Sequence, residues 1–385
     1  MFADLARRGL MHPRAVTYVK RAVSVSAEGH GQVDIIGDIP TWGIVLLYVS
    51  FVVAVVGISL VYYMLNEVIT TLCMVESPVA AITVSPTTHE SADKEEKEGL
   101  LKTGPTITLV NQKPITSSIR GTIKHLTAHA GRFARFRGYK IQVLHDVLFS
   151  LTSTFLTAAL PLVPGQAIIV AALSGAAVAN VHAAWTHKVI SMPSDKKFLA
   201  RIPSKSDWKT LALPAAIAAA MPYVGLYLTC GVAMLMGLHT LDQDSVRELD
   251  GAQTASLIVR GIIVLVFAIT CTLFLCLPAL VTLVRIEASI LPEDDDTIVP
   301  FDRSFGGKVV GQMLGGTGKI GFLNAWRSFD WDARRRLIQL FAKVLVIITG
   351  LVFIAVHVLV AEIFVVMGPV VGKFLSQAKA EGWAV

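Results

Sequence analysis

Charge is scarce in this chain. Asp, Glu, Lys and Arg make up 16% of the 385 residues, against 54% hydrophobic residues and a mean hydropathy of +0.62. So small a polar complement argues against two or three soluble domains and for a polytopic membrane protein. Cysteine is scarce too. Cys73, Cys230, Cys271 and Cys276 lie in or beside apolar segments, with no CxxC pair and no histidine cluster nearby. They read as small buried hydrophobes rather than as a disulfide framework or a metal site. No Asn-x-Ser/Thr sequon supports a glycosylated outer face. The N-terminal segment is rich in Arg and Lys but lacks an apolar core long enough for a secretory signal. It reads as a polar tail over residues 1–40, solvated or acting as an amphipathic targeting segment.

Catalytic constellations are missing as well. No Ser/His/Asp set, HExxH motif or carboxylate pair falls on a common face, so no enzyme, cofactor or metal is expected, and no nucleic-acid partner. Gly315-Gly316-Thr317-Gly318-Lys319 imitates a phosphate loop, but Met313 stands where its first glycine belongs and Ile320 replaces the magnesium-binding hydroxyl. A flexible loop is expected there.

What the chain does have is long apolar runs. Six stretches approach the roughly 20 residues of helix that a bilayer core requires. They are Trp42 to Leu65, Val143 to Leu162, Ala167 to Ile190, Leu211 to Leu238, Ser256 to Val284 and Leu340 to Val371. The expected fold class is all-α, a membrane domain of six transmembrane helices over 41–385 with a flexible insertion at about 79–115. The third stretch is rich in Ala, Gly and Ser around Ser174 to Ala179, which lets helices approach closely. Pro214 falls in the first turn of the fourth stretch and Pro222 is expected to kink it. Long polar connections, 65–145, 187–210 and 285–337, follow the first, third and fifth stretches and share one side if the chain crosses six times. They hold 24 Lys and Arg residues, against 8 in 1–40, 238–256 and 368–385. That bias places the long connections in the cytosol, or in the matrix if the membrane is mitochondrial. An endoplasmic-reticulum or other internal membrane is the alternative.

Within the first connection, Ser117 to Arg135 regains helical spacing, with Ile119, Ile123, Leu126 and Phe133 set between bases. It reads as a basic amphipathic helix, lying on the membrane surface or packed under the bundle. The third connection opens where the fifth stretch leaves the membrane, at Arg285-Ile286-Glu287. It carries the acidic run Glu293 to Asp296, which lacks the spacing of a calcium loop and is expected to stay solvated.

An aromatic followed by a base recurs where the returning helices begin: Phe136-Arg137-Gly138, Trp208-Lys209 and Trp326-Arg327. A ring and a cation at headgroup level suit lipid phosphate, so Arg137, Gly138, Trp208, Lys209, Trp326 and Arg327 are lipid-headgroup candidates and membrane lipids, including anionic ones, the expected partners. Three helix-pair units, uneven in length, can be traced in this way. The plan resembles the mitochondrial carrier family. Gly131 to Gly138 is similar to that family's Gly-x-x-Gly-x-aromatic-Arg-Gly entry to an even helix, with Ala134 in place of the second glycine. Pro278 to Ser289 keeps the register of its odd-helix signature, Pro-x-acid-x-x-base, but with Leu280 at the acid and Leu283 at the base. The resemblance implies six helices, three matrix-side loops and a central substrate cavity; the missing gate charges depart from it. The Arg-Phe-Arg-Gly segment also resembles those of fungal multipass membrane proteins, a likeness that implies no activity.

Ionisable residues inside apolar helices are costly and mark function by default. Arg260 and Glu362 fall at similar depths and are expected to pair, while His182 and His357 interrupt apolar runs. These four are the candidates for lining a substrate cavity. His182 and His187 are five residues apart, too far round the helix to present both rings to one metal. Two functions follow as expectations: a carrier-like solute transporter of unknown substrate, or a non-transporting membrane scaffold or assembly factor that contacts lipid or protein through its basic loops.

Overall fold

The computed structural model describes residues 41–77, 80–85, 106–111, 113–241, 250–311 and 315–380. In chain order, α1 (Thr41–Tyr62) continues through a π-helical stretch, Tyr63–Ile69, into α2 (Thr70–Val75). After the strands β1 (Ala80–Ser85) and β2 (Thr106–Asn111) come α3 (Ile119–Ala130), α4 (Tyr139–Ala159) and α5 (Gln166–Ile190). Then follow α6 (Lys205–Leu235), α7 (Gly251–Cys271), a second π-helical stretch at Thr272–Cys276, α8 (Leu277–Ser289), α9 (Phe322–Arg327) and α10 (Trp331–Ala380). Among the described residues, six helical segments are long and apolar enough to cross a membrane: Thr41–Val75, Arg132–Ala159, Gln166–Ile190, Lys205–Leu235, Gly251–Ser289 and Trp331–Gly368. The protein is an all-α multipass membrane protein with one small hairpin.

Several helices begin earlier than the apolar windows do, because polar caps start them. Ser204 accepts from the Asp207 amide while Asp207 accepts from the Ser204 amide, a capping box that begins α6 six residues before Leu211. Asp250 and Gln253 make the same reciprocal pair ahead of α7. Pro214 therefore lies well inside α6, not in its first turn, and the helix runs on through Pro222. The helix of the fifth stretch does not end at Arg285; it continues to Ser289, and both Arg285 and Glu287 are buried in the protein.

The described residues divide into two compact units, one drawn from 1–59 and 349–385, the other Leu60–Ile348. In the first, α1 and α10 lie side by side: Val366 covers Gly43, and Ser50 Oγ donates to Glu362 Oε2 at 2.5 Å. In the second, the three long connections meet at one end of the bundle, as expected. The Ser77 amide donates to Pro300 O at 2.9 Å, the Met192 amide to Asp296 O at 2.7 Å and the Ile298 amide to Ile190 O at 2.8 Å. Two apolar cores form at this loop end. One joins α2, Leu126, Trp185 and α8 to Phe329 and Leu337; the other joins Ala179, Ala183 and Leu211 to Phe305 and Ile320. The amphipathic helix resolves as α3, capped by Ser118, with Leu126 fully buried and Ile119 and Ile123 packed against the first core. Its apolar face is thus packed on the bundle.

The hairpin is a departure from the expected flexible insertion. Its strands pair antiparallel from Ala80 opposite Asn111 to Ser85 opposite Thr106, and both are rich in β-branched residues. The charged run from Asp93 to Glu98 lies outside the described residues.

Gly175 sets the spacing of α5 against α6. A Cβ there would stand 2.6 Å from the Ala219 methyl and 2.7 Å from Ala215 O, which is main chain and cannot rotate away. Gly175→Ala should therefore destabilise the protein by about 1–3 kcal/mol through overpacking. Gly261→Ala, where the Cβ meets nothing within 4 Å, should be neutral or mildly stabilising. Thermal unfolding of the purified variants in detergent checks the contrast, and equal melting temperatures would refute it.

Candidate functional site

The polar centre of the bundle forms around Glu287, which α8 carries into the packing against α5. Its side chain is fully buried. One carboxylate oxygen lies 2.7 Å from His182 Nδ1 and the other accepts from Thr186 Oγ1 at 2.5 Å, while its main-chain carbonyl lies 2.8 Å from His187 Nε2. His182 and His187 thus meet the same residue despite their spacing, because one reaches the carboxylate and the other the backbone. The His182 ring sits edge-on to His145, with centroids 5.2 Å apart, and at the same distance from Trp185. His145 Nδ1 lies 3.1 Å from Asp146, whose side chain is exposed. In the first π-helical stretch, Glu67 accepts from Asn66 Nδ2 at 3.1 Å. Beneath these, Trp185 donates to Tyr63 Oη at 3.0 Å, and Tyr63 donates to Arg137 O at 2.7 Å. Trp185 is buried.

Of the four cavity candidates, His182 alone enters this cluster. The two residues expected to pair take other partners: Arg260 is exposed and donates to Met236 O at 3.3 Å, and Glu362 accepts from Ser50. His357 is exposed and bonds one turn back, 2.8 Å from Phe353 O. A small cleft lined by Ser289, Pro292, Glu293, Arg303 and Gly311 contains none of the cluster's side chains.

The headgroup candidates divide in the same way. Arg137 is buried; its Nε donates to Lys188 O at 3.0 Å and its Nη2 to Ser191 O. It closes off the carbonyl end of α5. Gly138, at φ 79°, adopts the left-handed conformation that lets the chain turn into α4, and a Cβ there would stand 3.0 Å from Trp185. Trp208 is partly exposed and donates to Ala176 O at 2.8 Å, whereas Lys209 and Arg327 are exposed. Trp326 is half-buried beneath the Arg334 guanidinium, 4.1 Å from its ring centre.

Two buried charges at the loop end escaped the sequence reading as ties between elements. Arg285 donates to Ala325 O at 3.1 Å, Met74 O at 3.0 Å and Ser328 O at 3.3 Å, so one guanidinium joins the ends of α2 and α9 to α8. Glu76 accepts from the amides of Ile115 at 2.6 Å and Thr116 at 3.0 Å, anchoring the approach to α3. The acidic run is not wholly solvated either, since Asp295 is buried and shares Lys196 with Asp294. The bonds to Asp294 and Asp295 raise the Lys196 ammonium above its ordinary pKa, and the Lys196 bond holds Asp294 below the usual carboxylate range. At Asp302 burial acts upward, but donors from Ser304 and Gly306 outweigh it and the carboxyl is lowered. Lys319 of the glycine-rich segment pairs with Asp207 at 2.5 Å.

Comparisons with protein-family models, with curated proteins and with solved structures each found no match. The chemistry of the site rests on its own geometry. A carboxylate held by an alcohol and a histidine can latch two helices together, and it is also the arrangement from which a proton relay is built.

Proposed function

We propose that this multipass membrane protein is a non-transporting scaffold or assembly factor, holding a rigid basic platform at one membrane surface for contact with anionic lipid or protein. The observation that supports it is that each cavity candidate is held by local partners: Arg260 and His357 bond main-chain carbonyls, Glu362 meets Ser50, and His182 is tied to Glu287 in close helix packing. A scaffold needs such rigidity, whereas a transporter needs ionisable groups converging on an opening. Exposed side chains of the connections support the same reading. Arg120, Lys124, Arg132 and Arg327 are exposed, as are Phe133, at 82%, and Trp331, at 70%. Bases beside bulky apolar groups suit a headgroup layer. The Lys/Arg bias favours the cytosolic or matrix side for these connections, in a mitochondrial or other internal membrane.

A carrier-like transporter is the second reading. It draws on the series Asp146, His145, His182 and Glu287, in which ionisable groups follow one another through apolar helices. Proteoliposomes loaded with a pH-sensitive dye separate the two. A scaffold should pass protons and small ions no faster than empty vesicles. Flux above that background which disappears in His182→Gln would overturn the scaffold reading.

A further inference from the structure

Three cations gather at the loop-side ends of α4 and α5, and among the described residues no acid pairs with them. Arg137 is 8% exposed and Arg201 6% exposed, and both converge on Ser191. Arg137 donates to the Ser191 carbonyl, and Arg201 Nη1 to the Ser191 hydroxyl at 3.2 Å. Arg201 Nη2 donates to Ser194 Oγ at 2.6 Å. Lys188 lies one turn before Ser191 and is partly exposed, and its carbonyl accepts from Arg137 Nε at 3.0 Å. Among the described residues none of the three forms an ion pair, in contrast to Lys196, Lys319 and Arg336, each of which meets a carboxylate. Two nitrogens here, Arg137 Nη1 and Arg201 Nε, are buried without any hydrogen-bond partner.

The carbonyl end of α5 does not compensate such a charge. Its dipole is worth about half a negative charge, against three positive ones. Buried cations that lack a counter-ion are strongly unfavourable, and orphaned donors on the same groups add to the cost. A compact dianion with several acceptor oxygens would resolve both. Guanidinium forks and serine hydroxyls are the groups that hold phosphate oxygens, and Lys188 supplies a point charge at the more open edge.

We propose that Arg137, Lys188 and Arg201, with Ser191 and Ser194, form a binding site for a phosphate group. Its position at the loop-side helix ends admits either a lipid headgroup or a free phosphate anion. The site stands apart from the scaffold reading, because it holds whether or not the protein moves a solute. It also places phosphate recognition on a buried cluster drawn from three separate segments, not on exposed aromatic–base pairs.

The test uses the full chain in phosphatidylcholine nanodiscs, following the unfolding temperature while inorganic phosphate is titrated at fixed ionic strength. A parallel series replaces part of the phosphatidylcholine with phosphatidic acid. Either ligand should stabilise the protein; a response to inorganic phosphate identifies a free-anion site, and a response to the lipid alone a headgroup site. Lys188→Gln, at a partly exposed position that should still fold, should weaken the apparent affinity about tenfold or more, the size of one charge-assisted hydrogen bond. Lys308→Gln, an exposed lysine outside the cluster, should leave it unchanged. The site is refuted if neither ligand raises the unfolding temperature, or if Lys188→Gln responds as the wild type does.

Discussion

Replacing Glu287 with alanine should lower stability by about 3–5 kcal/mol, the range for breaking a buried charged pair by removing one partner. The carboxylate is fully buried, and its loss strands the Thr186 hydroxyl and His182 Nδ1 inside the bundle. Glu287→Gln should cost less, since an amide keeps the shape and one acceptor oxygen. The triple variant Glu287→Met, His182→Leu, Thr186→Val should recover much of the loss, because an apolar replacement of a whole buried polar set is often neutral. Unfolding of the purified variants in detergent measures this series. If Glu287→Ala melts within a degree or two of the wild type, Glu287 is not a structural latch. A proteoliposome flux lost in a stable Glu287→Gln variant would then direct attention to the relay.

Arg285→Leu should produce a loss of similar size through a different mechanism. Its guanidinium satisfies carbonyls at Met74, Ala325 and Ser328, and each one left buried without a donor costs about 1–3 kcal/mol. The ring faces of Phe305 and Phe329, 4.9 and 5.5 Å from the guanidinium carbon, lose a cation at the same time. Arg285→Lys should rescue little, because one ammonium on a flexible stem cannot reproduce a planar fork reaching three carbonyls. Besides a lower melting temperature, limited proteolysis should cut faster around α9 in Arg285→Leu. Unchanged cleavage there, with an unchanged melting temperature, would show that Arg285 does not hold that segment.

The six helices were legible because bilayer thickness imposes a run of apolar residues that few other structures need. Their beginnings were less so. Ser204, Asp207, Asp250 and Gln253 are polar, so a hydropathy window stops short of the caps that start α6 and α7. The centre of the bundle was the least legible part. Arg285 and Glu287 stand two residues apart at the end of an apolar run, which reads as an exit from the membrane; only the contacts of α8 with α2, α5 and α9 show them turned inward. The cavity candidates were chosen because they interrupt apolar runs, a signal that does not say which way a helix face looks. Arg260 and His357 take main-chain carbonyls nearby. Small residues were a better guide, since Gly175 does bring α5 against α6.

The π-helical stretch Tyr63–Ile69 has one further consequence. A turn that holds an extra residue shifts the phase of everything beyond it by about 100° relative to an unbroken α-helix. Beyond that stretch all six residues of α2, from Thr70 to Val75, are buried, so every face of this short helix meets the core. Deleting one residue within 63–69 would turn those six side chains by about 100° against the core they fill.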